Sequence, residues 1–323
     1  MHGRVGNVRY TASRMYGGVG FTGTRAGGKP GRLSPLGLED GGMDTEKRRC
    51  TAVVLAAGSG RRMQSATAKQ FMELAGKPLI WFSLHAVEQS GIIDDCILVT
   101  AQNDIPFVWQ EIVRKYGFKK VTDVIAGGGE RYASVGNAMR YIAQGRQPIP
   151  NRDGYVFIHD GARPFLSEEI LRNTYEDVKR YGACVAAVPS KDTIKIGDEK
   201  GFAVSTPDRS LVWNIQTPQV FKTALITEAY AELESAERSG KGAAGAGPGR
   251  EGTDSESEVR RDAGTSAGAG QGLAGRGVTV TDDASVVELF TDHKVKLTMG
   301  AYENIKITTP EDITAAEAFL SGK

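Results

Sequence analysis

Residues 51–79 read TAVVLAAGSGRRMQSATAKQFMELAGKPL, and they are the most informative part of the sequence about the fold. It opens with apolar and β-branched residues from Thr51 to Leu55, a run typical of a strand that is buried on both faces. Small residues occupy positions 56–60, and the cations Arg61, Arg62 and Lys69 follow. Glycine lets a backbone approach a ligand closely, and clustered cations favour an anion such as a phosphate chain. The stretch therefore predicts a strand that leads into a phosphate-binding loop.

This loop differs from the two common nucleotide-binding loops. Met63 stands where the motif G-x-G-x-x-G needs its third glycine, and the G-K-[ST] ending of a P-loop does not follow. A glycine-rich turn with solvated arginines is the alternative for this stretch taken alone. Other parts of the chain must decide between the two.

Composition excludes several classes of protein. A chain of 323 residues with 40% hydrophobic content can bury one large α/β core. The formal net charge of +1 gives no overall field that would attract nucleic acid, and no apolar run approaches the length of a membrane span. The three cysteines lack C-x-x-C spacing, so we expect buried thiols and neither a zinc site nor disulfides. We therefore predict neither a nucleic-acid nor a membrane partner.

Short apolar runs alternate with amphipathic segments through the first half of the chain. Strands are predicted at 51–55, 96–100, 121–125, 155–158 and 184–188, and helices at 79–90, 105–116, 130–142 and after Ser167. This alternation predicts an α/β fold, a Rossmann-like and mostly parallel sheet with helices on both faces. Ligands bind such sheets at the carboxyl ends of the strands, where the loops at Gly58, Gly127 and Asp160 should meet.

The pattern changes after Pro189. Strand-like runs at 193–196 and 202–205 flank a polar turn and predict a protruding β-hairpin, residues 190–212. The remaining predicted elements are a strand at 211–221, helices at 222–236 and 283–290, strands at 295–299 and 304–307, and a final helix that Thr309 caps.

Two segments contain too few large apolar residues to form a core. Residues 1–46 are predicted to be a disordered N-terminal extension, and residues 238–277 a low-complexity insertion. Residues 47–323 then form a single domain that includes the hairpin and the insertion. The acid-poor start leaves an organelle transit peptide open, but it lacks an amphipathic stripe, so an upstream extension or mis-set start codon is favoured.

The opening motif L-A-A-G-x-G-x-R-[ML] followed by a lysine, here residues 55–63 with Lys69, resembles that of nucleotidyltransferases. Further clusters, in order, resemble the 2-C-methyl-D-erythritol 4-phosphate cytidylyltransferases of the non-mevalonate isoprenoid pathway. They are GGER at 128–131 with Ser134, HDGARP at 159–164, KDT at 191–193 with Arg209, TPQ at 217–219, TDDAS at 281–285 and NIK at 304–306. That family usually has alanine where this chain has Gly161, a change that we expect to be tolerated.

The resemblance implies transfer of CMP from CTP to 2-C-methyl-D-erythritol 4-phosphate, giving 4-diphosphocytidyl-2-C-methyl-D-erythritol and pyrophosphate. It implies Mg²⁺, or another divalent cation, held mainly by the phosphates of CTP. It also implies a homodimer built through the hairpin, and a cytoplasmic location in a bacterium, or a plastid if residues 1–46 are a transit peptide. The implied site residues fall into three groups: catalytic Arg62, Lys69 and Lys306; nucleotide-binding Ala56, Ala57, Gly58, Gly128, Gly129 and Ser134; substrate-binding Asp160, Arg163, Thr193, Arg209 and Thr281.

Two other functions remain open at this point. A ribitol 5-phosphate cytidylyltransferase would share the nucleotide half of the pattern and differ in the acceptor pocket. A catalytically inactive, nucleotide-sensing protein could keep the same fold, although the presence of Arg62, Lys69, Asp160 and Lys306 disfavours it. A phosphate acceptor is already an anion at neutral pH, so nucleotidyl transfer needs no general base.

Overall fold

The computed structural model describes residues 47–58, 68–243 and 280–322. All of them belong to one compact unit, Gly42–Lys323. The predicted N-terminal extension, and the predicted insertion from residue 244 onward, lie outside the described residues.

A central sheet of seven strands organises this unit, in the order β11-β7-β10-β6-β1-β4-β5. Along the chain the strands are β1 (Cys50–Ala56), β2 (Glu73–Leu74), β3 (Lys77–Pro78), β4 (Asp95–Thr100), β5 (Val121–Ala126), β6 (Tyr155–Asp160), β7 (Ala183–Pro189), β8 (Ile196–Gly197), β9 (Ala203–Ser205), β10 (Trp213–Lys222) and β11 (Lys296–Met299). Strand β10 runs antiparallel to both of its neighbours, β6 and β7, while the other pairs of the central sheet are parallel. The predicted mostly parallel sheet is therefore confirmed.

Helices cover both faces of the sheet. They are α1 (Leu79–Gln89), α2 (Ile105–Phe107), which continues as a π-helix over Val108–Arg114, α3 (Arg131–Ala143), α4 (Glu168–Tyr181), α5 (Thr223–Ala243), α6 (Asp283–Phe290) and α7 (Pro310–Leu320). Alternate residues of β1 serve the two faces: Ala52 and Val54 join a core with α1 and α4, whereas Val53 joins a core with α3, α5 and α6. None of the helices in the described ranges is long and apolar enough to span a membrane.

Local sequence explains where one of the helices begins and ends. The Ser167 hydroxyl accepts a hydrogen bond from the amide of Ile170 and so caps the start of α4, whose first turn carries two glutamates. Gly182, in the left-handed region with φ of 77°, ends it. Both features match the helix signals in the sequence.

Four predicted elements differ from the structure. Residues 304–307 form a loop, so the strand predicted there is wrong. Helix α5 continues to Ala243, seven residues beyond the predicted end at Ala236, so residues 238–243 are helical where the insertion was predicted to begin. The hairpin strands β8 and β9 are shorter than the predicted runs.

Candidate active site

The carboxyl ends of four neighbouring strands, β6, β1, β4 and β5, meet at one edge of the sheet. Leu55, near the end of β1, is in register with Asp160, the last residue of β6, while Ala56 is in register with Thr100 of β4. Thr100 in turn pairs with Ala126, which ends β5 and precedes the triple-glycine loop at 127–129. The structure therefore brings together the three loops that the sequence placed at strand ends.

Close packing explains the glycines of the second loop. A Cβ atom on Gly127 would lie 2.5 Å from the Cβ of Ala57 and 2.8 Å from the Ser134 hydroxyl oxygen. The Ser134 hydroxyl accepts the amide hydrogen of Gly128 at 3.0 Å and donates to the carbonyl of Glu130 at 3.1 Å. Ser134 thus shapes the loop from within. A direct contact of Ser134, Gly128 or Gly129 with a nucleotide stays a prediction.

Four charged side chains form a continuous array across this edge, which we call the charge array: Asp283, Arg131, Asp160 and Lys306. The Arg131 guanidinium donates from Nη1 and Nη2 to the two carboxylate oxygens of Asp283, at 3.0 and 2.8 Å. Its Nε donates to Oδ1 of Asp160 at 3.1 Å, and the Lys306 ammonium donates to Oδ2 of Asp160 at 2.7 Å. Both oxygens of Asp160 are therefore occupied.

The electrostatics of the array keep Asp160 ionised. Burial by itself would raise the pKa of this carboxyl group, but the neighbouring charges of Arg131, Lys306 and Arg163 outweigh it and hold the pKa well below its usual range. For Arg131, burial opposes the positive charge, while Asp283 and Asp160 raise the guanidinium pKa well above its ordinary value. Asp160 and Arg131 therefore both carry their charges at neutral pH.

Arg163 fastens the loop that carries Lys306. Its Nη1 donates to the carbonyl oxygen of Asn304 at 2.6 Å, and its Nη2 to that of Ile215 on β10 at 3.3 Å. The buried Asn304 side chain donates to the carbonyl of Thr217 at 2.8 Å. Two guanidinium nitrogens are thus committed to backbone carbonyls, and the predicted contact of Arg163 with a substrate phosphate stays a prediction.

His159 supports the loop that carries Arg163. Its Nε2–H donates to the carbonyl of Arg163 at 3.1 Å, and the Thr217 hydroxyl donates to its Nδ1 at 2.9 Å. The same hydroxyl oxygen accepts the amide hydrogen of Asp160 at 3.1 Å. Because burial outweighs the favourable neighbours, the pKa of His159 falls to about 4, and the imidazole is neutral at pH 7.

Lys69 reaches the edge on a short 3₁₀ turn, Lys69–Phe71. The buried side chain of Gln70 donates to the carbonyl oxygen of Ala56 at 2.5 Å and so ties this turn to the end of β1. Arg62 belongs to residues 59–67, which lie outside the described residues, and its predicted role stays a prediction.

Three other predicted substrate-binding residues lie on the surface. Thr193 and Arg209 are exposed on the hairpin, and neither side chain forms a hydrogen bond or ion pair with any residue in the described ranges. Thr281 is exposed just before α6, where its amide donates to the Ser285 hydroxyl at 3.3 Å. Within one chain, no bond joins these three residues to the charge array among the described residues.

Sequence reasoning gave no role to Arg131 or Asp283, although both belong to motifs that it singled out. Arg131 is the first residue of α3, where the helix dipole disfavours a cation. Such a placement signals that acidic partners from elsewhere in the fold compensate the charge. The sequence offered that signal but could not say which acids they are.

The donor set at this edge fits a metal ion that arrives with a ligand. Among the described residues, no group of three or more His, Cys, Asp or Glu side chains could hold a metal ion. Asp160 is the carboxylate at the edge, and its two oxygens already accept from Arg131 and Lys306. A divalent cation there would depend on oxygens from a nucleotide.

Comparison with known proteins gives one family. The family model for 2-C-methyl-D-erythritol 4-phosphate cytidylyltransferase matches residues 50–247 and 266–322. Proteins of that name from Lachnospira eligens and Lachnoclostridium phytofermentans are 42% and 38% identical over 272 residues, covering 84% of this chain and 99% and 96% of those proteins. The crystal structure of 4-diphosphocytidyl-2C-methyl-D-erythritol synthase from Anaerococcus prevotii has a TM-score of 0.62 at 31% identity, covering 85% of this chain and 97% of that one. Because the family match covers most of the chain, including the residues of the charge array, the protein belongs to the 2-C-methyl-D-erythritol 4-phosphate cytidylyltransferase family.

Proposed function

We propose that this protein transfers CMP from CTP to 2-C-methyl-D-erythritol 4-phosphate in non-mevalonate isoprenoid precursor synthesis. A phosphate oxygen of the acceptor attacks the α-phosphorus of CTP, and the bond from that phosphorus to the departing pyrophosphate breaks. Family membership supports this function. The observation that carries it is the charge array, which places the Lys306 ammonium beside the strand end where the glycine loops meet.

Cations carry the chemistry, because negative charge builds up around the α-phosphorus and on pyrophosphate in the transition state. Lys306 uses one N–H on Asp160, and its partly exposed ammonium keeps two donors for phosphate oxygens. Lys69, held near β1 through Gln70, and Arg62 provide the other cations.

The nucleotide lies against the small-residue loops. Ala56, Ala57 and Gly58 line one side, and Gly128, Gly129 and Ser134 the other, where the absence of side chains lets the backbone approach the cytidine. Mg²⁺ accompanies the triphosphate and offsets part of its charge. The protein holds the phosphate groups around it through Lys69, Lys306 and Arg62.

The acceptor is bound by two subunits. Asp160, Arg163 and Thr281 contribute from one chain, and Thr193 and Arg209 from the hairpin of a second copy. Exposed apolar side chains on the hairpin support this arrangement: Phe202, Val204 and Leu211 are 70%, 68% and 78% exposed in the single chain. The proposal includes one nucleotidyltransferase domain over residues 47–323 and, given the bacterial relatives, a cytoplasmic location.

The direct test is pyrophosphate release by the purified protein with CTP and Mg²⁺. Methylerythritol phosphate and ribitol 5-phosphate are compared as acceptors. Release with the first alone supports the proposal, while release with ribitol phosphate moves the enzyme to polyol-phosphate activation. Release with neither favours the nucleotide-sensing alternative.

One substitution tests the assigned chemistry in the same assay. Lys69→Ala should lower kcat on the order of a hundredfold or more, because it removes a cation that stabilises the transition state. Lys115→Ala is the matched control, since Lys115 is exposed and forms its ion pair with Glu111 on its own helical segment. Near-normal turnover of the Lys69 variant would contradict the assigned role.

A further inference from the structure

The inner end of the charge array cannot contact a ligand. The Asp283 side chain is fully buried, and its oxygens accept from both terminal nitrogens of Arg131 and, at 2.7 Å, from the hydroxyl of Tyr230. Both oxygens of Asp283 are therefore bonded inside the protein, and neither is exposed to a ligand. Any effect of Asp283 on the reaction must act through another residue.

Asp283 is also held rigidly. It is the first residue of α6, and its backbone amide donates to the Gln219 side chain on β10 at 2.9 Å. Tyr230, its other partner, belongs to α5 and is buried in the hydrophobic core that α3, α5 and α6 share. One strand of the sheet, β10, and two helices, α5 and α6, thus fix the position of this carboxylate.

Arg131 transmits that position to the site. Its planar guanidinium forms a two-bond fork with Asp283, and the same plane directs Nε to Asp160. Asp160 in turn accepts a hydrogen bond from Lys306. Lys306 lies in a loop without regular secondary structure, and among the described residues its ammonium group contacts no other acidic side chain. The position of the Lys306 ammonium therefore depends on a chain of three bonded partners.

We infer that Asp283 and Arg131 are positioning residues of the reaction, which orient Lys306 through Asp160. This inference rests on the proposed function, in which Lys306 binds the phosphates. The array contains two cations and two carboxylates: Arg131 binds both carboxylates, and Asp160 binds both cations. Without the charge of Asp283, Arg131 is left with Asp160 as its only acidic partner in the array, and it competes with Lys306 for that carboxylate.

The test is Asp283→Asn, which keeps the size of the side chain but removes its charge and sets an amide donor against Arg131. We expect kcat to fall on the order of tenfold to a hundredfold, the cost of a small misplacement of a group that acts in the transition state. Arg131→Lys is the second variant, because a lysine keeps the charge but cannot bind two carboxylates with a rigid fork. Arg140→Gln is the matched control: it removes an ion pair between α3 and α5, Arg140 with Glu234, away from the array.

A double-mutant cycle separates positioning from loss of stability. Each variant is combined with Lys306→Ala, and kcat and the thermal midpoint are measured for every protein. If Asp283 acts through Lys306, Asp283→Asn has almost no further effect on kcat once Lys306 is absent. Losses that multiply fully in the double variant, or an unchanged kcat with a lower thermal midpoint in Asp283→Asn, would overturn the inference.

A crystal structure of Asp283→Asn decides the same point without an acceptor. The inference requires the Lys306 ammonium to leave its 2.7 Å contact with Asp160. An unchanged contact would overturn it. If the wild-type protein releases no pyrophosphate with either acceptor, the proposed function fails, while this structural result still decides whether Asp283 positions Lys306.

Discussion

The buried His159 should make the stability of this protein depend on pH in a defined window. Its imidazole is 1% exposed and neutral, with a pKa lowered from 6.5 to about 4. In the unfolded chain the imidazole is solvated and protonates near pH 6.5. As the pH falls from 6.5 towards 4, the unfolded state binds a proton that the folded state resists, so the free energy of unfolding decreases.

The size of the effect follows from the shift. One pKa unit corresponds to about 1.4 kcal/mol, so the lowering of the His159 pKa to about 4 predicts a loss of about 3 kcal/mol between pH 7 and pH 4. Above pH 7 this group contributes no slope, because it is neutral in both states. Below about pH 4 both states bind the proton and the slope from this group vanishes.

The assay is urea unfolding of the wild type and of His159→Gln between pH 8 and pH 4. Glutamine is neutral throughout and can still donate to the carbonyl of Arg163, so the variant loses some stability at pH 8 but should have a shallower pH dependence. The difference between the two proteins cancels the titration of other groups. His85→Gln, at an exposed position of α1, controls for the loss of one histidine from the chain. Parallel stability curves for wild type and His159→Gln would refute the reasoning.

Three further outcomes are expected. Gly161→Ala should lower stability by about 1–3 kcal/mol, since a Cβ there would lie 2.9 Å from the carbonyl oxygen of Leu55, and an unchanged thermal midpoint relative to a Gly91→Ala control would contradict this. The three cysteines are buried, and burial raises the pKa of the Cys50 thiol to about 12. A thiol reagent should therefore modify the protein only after denaturant is added. Rapid reaction of the native protein would show that the thiols are accessible. Phe202→Asp should convert the proposed dimer to monomers in light scattering, because the exposed ring would lie in the interface, and a wild type that is monomeric at all concentrations would exclude the hairpin as a dimerisation arm.

The expected cost of Gly161→Ala concerns the packing around position 161. The resembled family usually has alanine at this position, and the sequence led us to expect that the glycine of this chain is tolerated there. The packing of this chain argues for a cost, because the added atom would meet backbone and the Ile80 side chain. A compensating Ile80→Val change should recover part of the lost stability, since it removes the terminal methyl group that the new Cβ meets.

Much of the fold is encoded locally. The run 51–55 consists of apolar and β-branched residues. A strand of that kind is typically buried on both faces, and β1 indeed divides its residues between two cores. The helix signals at Ser167 and Thr309 also depend on neighbouring residues alone. For these reasons the alternation of strands and helices, and the meeting of three loops at one edge, could be read from the sequence.

The site itself depended on tertiary structure. Residues 304–307 look like a strand because apolar and polar residues alternate, but buried hydrogen bonds of Asn304 to Thr217 and Gln216 hold this segment as a loop. Arg131 and Asp283 are 152 positions apart, and no local pattern links them. The sequence alone predicts that the glycine loop at 127–129 and the loop at Asp160 follow strands that end at one edge, because these features arise from short-range periodicity and turn chemistry. Only the tertiary structure decided which carboxylate holds which cation, because pairing of buried charges depends on distances between elements that are far apart in the chain.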